Sequence, residues 1–67
     1  MLTIEKYRFD KFLSDYKKGK FAHQRLGQAF YNQFGLHKLA NQDLLNNIYS
    51  KDGQHAINCI NNFVIFN

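Results

Sequence analysis

The side chains of this sequence that could bind a metal ion are three histidines and one cysteine. His55 and Cys59 are four residues apart, so in a helix both would lie on one face and could reach one ion. His23 and His37 belong to no paired ligand motif, and a structural zinc ion needs four ligands in a tetrahedral arrangement. We therefore expect neither a metal site nor a cofactor, with Cys59 in the core and His55 at the rim of the same helix.

Cys59 could also act as a nucleophile if a histidine served as its base. The thiol falls within an apolar stripe, however, and burial among apolar side chains raises the pKa of a thiol and makes it inert. The sequence has no glycine-rich phosphate loop and no nucleophile elbow, and most of its five acidic residues lie at predicted helix caps or in first turns. We therefore expect a protein that is not an enzyme.

Cellular location follows from the same residues. A single cysteine cannot form an internal disulfide, the N-terminal segment lacks the apolar run of a signal peptide, and no segment approaches the roughly 20 apolar residues of a membrane span. These features predict a cytoplasmic protein with a reduced Cys59 and no membrane partner.

Positive charge is concentrated in the first third of the chain. The formal net charge is +4, and residues 1–25 carry seven of the nine Lys and Arg residues but only three of the five acidic ones. Five basic side chains surround the predicted turn between the first two helices: Lys17, Lys18, Lys20, His23 and Arg25. Together with the N-terminus of the second helix, they would favour an anionic partner. The alternative is that lysines at a helix C-terminus serve only capping and solubility.

Three polar residues of the predicted second helix form a second candidate contact surface. At 100° per residue, Arg25, Gln28 and Asn32 lie together, opposite the apolar face. Gln28 and Asn32 are one turn apart and could form a hydrogen bond with each other. The face would suit a protein-binding edge, because Arg is enriched in interface hot spots. The alternative is an ordinary solvated helix face.

The elements that position these residues are predicted to be four helices, over residues 4–18, 22–34, 42–50 and 53–65. Thr3, Asn41 and Asp52 are the expected N-caps, and Gly19 supplies a left-handed stop for the first helix. Connections of a few residues favour a compact all-α cluster in a single domain, residues 1–67. A chain this short buries only about 60% of its unfolded surface, but seven Phe and four Tyr supply a rich core.

The apolar spacing of each helix predicts which residues are buried. The expected core residues are Phe9, Phe12, Leu13 and Tyr16, then Ala22, Leu26, Ala29, Phe30 and Phe34, then Leu44, Leu45, Ile48 and Tyr49, and finally Ala56, Ile57, Cys59, Ile60, Phe63 and Val64. Gly27 lies at the border of its apolar face, where a missing side chain would let another helix approach closely. Gln33 falls within the same apolar face and has no explanation from the pattern.

The order of the segments FLSDYKKGKF, RLGQAFYNQF, NQDLLNNIY and INCINNFV resembles a group of very short, uncharacterised helical proteins encoded by bacteriophages and prophages. The shared core is Arg-x-Gly-Gln-Ala-Phe-x-Asn, here Arg25, Gly27, Gln28, Ala29, Phe30 and Asn32. The resemblance implies a location in the cytoplasm of a bacterial host. It also implies an accessory role, in which such proteins bind and redirect host machinery, including CRISPR nucleases and other defences.

The leading hypothesis is therefore a non-enzymatic protein that docks on a host protein or a protein–nucleic acid complex through its basic N-terminal half and the Arg25 face. The first alternative is direct binding of nucleic acid. Within that alternative a helix-turn-helix is disfavoured, because the connection between the second and third helices is too long and the third helix has no base-reading cation near its start. The second alternative is a structural homo-oligomer that buries Tyr7, Tyr31 or Phe66 in a symmetric interface.

Overall fold

A computed structural model of the chain describes residues 2–40 and 42–67. Strand β1 (Leu2–Ile4) precedes helix α1 (Lys6–Lys17), and helix α2 (Leu26–Gln33) is followed by a 3-10 turn at Leu36–Lys38. Helices α3 (Gln42–Tyr49) and α4 (Gly53–Phe63) then lead into strand β2 (Val64–Phe66). The predicted cluster of four helices is thus confirmed, with a short sheet added to it.

Helix α2 lies at the centre of the molecule, packed against α3 and α4 and contacting α1. Phe30, in the middle of α2, has no solvent-accessible surface, and its ring packs edge-on against Phe9 and Phe12 of α1. The two α1 phenylalanines are themselves buried, as the i, i+3 spacing of that helix predicts. A single aromatic-rich core therefore fixes α1 against α2.

At Gly27 the backbone of α2 is in close contact with the end of α3. A Cβ placed on Gly27 would overlap the backbone carbonyl of Ile48 and come within 2.8 Å of the carbonyl oxygen of Lys51. The Gly27 N–H donates a hydrogen bond to that same Lys51 oxygen, at 3.2 Å. The prediction that Gly27 admits a neighbouring helix is confirmed, and the neighbour is the end of α3.

The two chain ends form a parallel two-stranded sheet, which the sequence pattern does not predict. Leu2 pairs with Val64 and Ile4 with Phe66, and the Asn67 N–H donates to the Ile4 carbonyl at 3.1 Å. The first helix therefore begins at Lys6 instead of residue 4, and the last helix ends at Phe63 instead of residue 65. Thr3 lies in β1 and caps no helix; the N-cap position of α1 is occupied by Glu5.

The second helix starts four residues later than predicted. Residues 18–23 form turns, and His23 adopts a left-handed backbone with φ of 68°, which is incompatible with a continuing right-handed helix. Ala22 consequently lies outside the helix and is exposed instead of buried. The predicted stop after α1 is confirmed, because Gly19 has φ of 85° directly after the C-cap residue Lys18.

Helix α3 buries a narrower side than its sequence pattern predicts. Leu45 and Ile48 are buried, but Leu44 and Tyr49 are 50% and 39% exposed. Leu45 and Ile48 are three residues apart and form one buried row, in a helix that packs against α2 and α4. Asn41, the predicted cap of this helix, lies outside the described residues.

Within residues 2–40 and 42–67, no helix has the length and hydropathy needed to cross a membrane.

Candidate functional site

The basic residues singled out from the sequence lie on one exposed segment, residues 17–25, which we call the basic loop. All five of its basic side chains, those of Lys17, Lys18, Lys20, His23 and Arg25, belong to exposed residues. Lys20 forms an ion pair with Asp15, at 3.5 Å. For Lys17, Lys18 and Arg25 there is no ion pair with any described residue. The loop therefore presents a cluster of positive charge to solvent.

The N-terminus of α2, predicted to attract an external anion, already has one from within the chain. The Asp52 carboxylate accepts hydrogen bonds from the Leu26 N–H at 3.0 Å and from the Gly53 N–H at 2.9 Å, so one side chain caps both α2 and α4. The Tyr16 hydroxyl lies 3.3 Å from the same oxygen and 3.1 Å from the Gln24 carbonyl oxygen. The cap predicted for Asp52 on α4 is confirmed, whereas its bond to α2 was not foreseen.

These contacts perturb the titration of both side chains. The two backbone N–H donors, from Leu26 and then Gly53, hold the pKa of Asp52 below its usual value, so the carboxylate is charged at neutral pH. Burial, followed by the Asp52 charge, raises the pKa of the Tyr16 phenol. The N-terminus of α2 is therefore occupied by Asp52, and this contact stabilises the fold. Only the side chains of the basic loop are left to attract an anionic partner.

The predicted polar face on α2 is only partly exposed. Arg25, at the N-cap position, and Asn32 are exposed, but Gln28 is half-buried. Asn32 Nδ2 donates to Gln24 Oε1 at 3.3 Å, so its amide is held by the loop and not by Gln28. Gln33, expected within the apolar face, is exposed and is the last residue of α2.

A pocket between α1 and α2 adjoins the basic loop, and the sequence pattern does not predict it. Its volume is about 190 Å³, and its lining residues are Arg8, Lys11, Phe12, Asp15, Phe21, Gln33 and Phe34. Cζ of Arg8 lies 5.4 Å from the centroid of the Phe34 ring, within cation–π distance. The spacing of Arg8, Lys11 and Asp15 along α1 places these three on one helix face. It could have indicated a charged face, but not the aromatic residues that α2 and the loop bring to it.

Only some of the charged side chains in this pocket are paired with an opposite charge. Lys11 Nζ donates to Asp15 Oδ2 at 3.1 Å, and this bond lowers the pKa of Asp15. Lys20 pairs with the other oxygen of the same carboxylate. Asp15 is therefore shared by two lysines, while Arg8 has no carboxylate within ion-pair distance in the described part of the chain.

The remaining sequence candidates are scattered. Cys59 is half-buried and lines a second pocket, of about 180 Å³, between α3 and α4, so it is less enclosed than predicted. Over residues 2–40 and 42–67, no group of three His, Cys, Asp or Glu side chains is placed to bind one metal ion. Tyr7 is 66% exposed, whereas the Tyr31 hydroxyl donates to Gln42 Oε1 and the Phe66 ring packs 4.8 Å from that of Phe9.

Of the three aromatics suggested for a symmetric interface, Tyr7 alone is thus freely exposed. The site residues that the fold does bring together are those of the basic loop and of the adjoining pocket. Compared with known proteins, the chain matches no protein-family model, no curated protein and no solved structure.

Proposed function

We propose that this protein is a non-enzymatic accessory binding protein that docks on an anionic surface of a larger protein or nucleoprotein through the basic loop. The supporting observation is the exposure of Lys17, Lys18 and Arg25, which form no ion pair with any described residue. The ion pairs among residues 2–40 and 42–67 are local, at spacings of four or five residues on or next to α1. Charge left uncompensated on one side of a small domain steers association with oppositely charged partners.

The proposed setting is the cytoplasm of a bacterial host, where the chain would act as a phage-type protein that redirects host machinery, including a defence nuclease. This part of the proposal is supported by the Arg-x-Gly-Gln-Ala-Phe-x-Asn core. Three of those residues serve packing, since Gly27, Ala29 and Phe30 are buried, and Arg25 occupies the N-cap position without a capping side-chain bond. Within that core, only Arg25, Gln28 and Asn32 have side-chain surface for a partner.

Affinity capture from a bacterial host tests the proposal. The tagged protein is compared with a Lys17→Glu, Lys18→Glu double variant and with a Lys38→Glu, Lys51→Glu control. The control has the same change in net charge, on exposed residues outside the basic loop. We expect the loop variant to lose its captured partner and the control to retain it. Equal capture by all three proteins would refute docking through the basic loop.

Direct binding of nucleic acid is the second candidate. The observation that favours it is the pocket beside the basic loop, where aromatic rings and cations occur together. Protein–nucleic acid contacts combine these two kinds of group.

A further inference from the structure

We infer that the pocket between α1 and α2 binds one unpaired base of a single-stranded nucleic acid, while the basic loop contacts the neighbouring phosphates. The inference deepens the second candidate function and relies on the basic loop only for charge. It assigns a site and a class of ligand to Arg8, Phe21, Gln33 and Phe34.

The size and floor of the pocket suit one aromatic ring system. A cavity of about 150 Å³ is large enough to admit benzene, and this pocket measures about 190 Å³ and is open to solvent on one side. Phe12 is buried at the bottom, and Phe21 and Phe34 are half-buried, with their rings 5.3 and 5.8 Å from that of Phe12. Aromatic floors of this kind stack bases without regard to sequence.

The polar lining distinguishes a base from an apolar side chain of a protein partner. Arg8, Lys11 and Gln33 supply donors, and Gln33 and Asp15 supply acceptors around the aromatic rings. Lys11 and Asp15 already bond to each other, but a leucine or phenylalanine from a partner would offer no hydrogen bond to Arg8 or Gln33. A base has both a stacking face and an edge of donors and acceptors, so it uses the whole lining.

Arg8 is the residue best placed to hold the ligand. Its guanidinium is already positioned against Phe34 and is exposed, and no described carboxylate occupies its donors. It can therefore stack on a base or bind a phosphate with two parallel hydrogen bonds. Phe21 links the pocket to the basic loop, because it lies within residues 17–25. Lys20 precedes Phe21 in the sequence, so a strand that places a base against Phe21 would bring its neighbouring phosphates towards the basic loop.

The test is fluorescence anisotropy with a labelled ten-nucleotide oligo(dT) and an abasic strand of the same length, measured at low salt. The abasic strand retains the phosphates and lacks the bases. We expect oligo(dT) to bind at least about fivefold more tightly than the abasic strand, the lower end of what one stacked base contributes. Equal affinity for the two strands, or no binding of either, would overturn the inference.

Variants locate the site. Arg8→Gln should weaken oligo(dT) binding several-fold more than Lys38→Gln, which removes the same charge from an exposed residue outside the pocket. Phe21→Leu keeps an apolar side chain but removes the ring, and should lower affinity for oligo(dT) without lowering that for the abasic strand. A ten-residue polyglutamate should bind more weakly than oligo(dT).

The outcomes separate this inference from the proposed function. If Arg8→Gln and Lys38→Gln bind equally, or if polyglutamate binds as tightly as oligo(dT), the base-binding pocket is refuted. Loss of partner capture by the Lys17→Glu, Lys18→Glu variant would still support docking through the basic loop. Conversely, base-dependent binding that requires Arg8 would stand even if capture were unaffected by the loop charges.

Discussion

The Asp52 carboxylate connects three segments that are distant in the sequence. It caps α4 from the adjacent position, caps α2 across the molecule and lies within hydrogen-bond distance of the Tyr16 hydroxyl at the end of α1. N-capping residues are usually specific to one helix, and each satisfies one or two otherwise unpaired N–H groups. Here one oxygen serves two helix ends, so its removal should affect both.

We expect Asp52→Asn to lower the melting temperature by about 5 to 10 °C, measured by circular dichroism at pH 7. Asparagine can still cap the neighbouring α4, but its neutral oxygen is a weaker acceptor for the Leu26 N–H and forms no charged bond with Tyr16. The matched control is Asp43→Asn, which removes an exposed carboxylate from the first turn of α3. A similar loss in both variants would contradict a special role for Asp52.

The pH dependence of stability provides a second measurement of the same variant. Because the pKa of Asp52 is lowered in the folded state, the folded chain binds fewer protons than the unfolded chain near the usual Asp pKa. Its contribution is therefore complete above the unfolded pKa and is lost as the pH falls through the folded pKa. As the pH falls from about 5 to about 2, the melting temperature of the natural sequence should fall more steeply than that of Asp52→Asn.

At the scale of elements, the contact between α2 and α3 depends on the absence of a side chain at Gly27. Alanine is favoured over glycine in a helix interior by about 1 kcal/mol, so helix propensity alone predicts that Gly27→Ala is stabilising. Packing predicts the opposite, because the new Cβ would overlap the Ile48 carbonyl, and backbone cannot move aside as a flexible side chain can.

We expect packing to dominate, with Gly27→Ala lowering the free energy of unfolding by about 2 to 3 kcal/mol in urea titrations. Ser14→Ala, at an exposed position of α1, is the control and should be neutral or slightly stabilising. A Gly27→Ala protein as stable as the natural sequence would mean that α3 can shift away from α2 at little energetic cost.

Two neighbouring residues of strand β2 differ in how deeply they are buried. Phe66 is half-buried against Phe9, whereas Ile65 is 49% exposed. Phe66→Ala should cost about 2 kcal/mol of unfolding free energy, roughly half the loss for a fully buried phenylalanine. Ile65→Ala should change it by less than about 1 kcal/mol. Equal losses at the two positions would show that the sheet contributes through strand propensity and not through packing on α1.

These elements differ in how well the sequence predicts them. Asp52, Gly19 and Gly27 are local signals with a direct physical meaning, and each predicted role is confirmed. The strands have three residues each and pair across the whole chain, so no local periodicity reveals them. The late start of α2 depends on a left-handed His23, a conformation that is uncommon for residues other than glycine.

The two parts of the candidate site, the basic loop and the pocket, also differ in how well the sequence predicts them. The basic loop is predictable because its five basic residues lie within nine consecutive positions of the sequence, residues 17–25. The pocket is not predictable, because Arg8 and Phe34 meet only after α1 packs on α2. From its spacing, Phe34 is predicted to be an ordinary core residue. Arg8 is predicted to be an ordinary solvent-exposed residue. Their combination is a property of the tertiary structure.

At the scale of the whole molecule, the distribution of charge determines how binding responds to salt. Lys6 and Lys11 are paired with carboxylates on α1, and Lys20 shares Asp15, so their charges are partly neutralised within the chain. Other cations form no ion pair with any described residue. They include Lys17, Lys18 and Arg25 of the basic loop and Arg8 of the pocket. A single strand that contacts these four would release about 0.7 counterion per contact.

We therefore expect the logarithm of the oligo(dT) affinity to fall by about 3 for each tenfold increase in salt concentration. Each lost contact flattens this dependence by about 0.7, so the Lys17→Glu, Lys18→Glu variant should show a slope shallower by about 1.4. The Lys38→Glu, Lys51→Glu control changes the net charge equally and should keep the slope. If both variants flattened it equally, the affinity would depend on net charge alone, and the clustering of cations in the basic loop would have no role in binding.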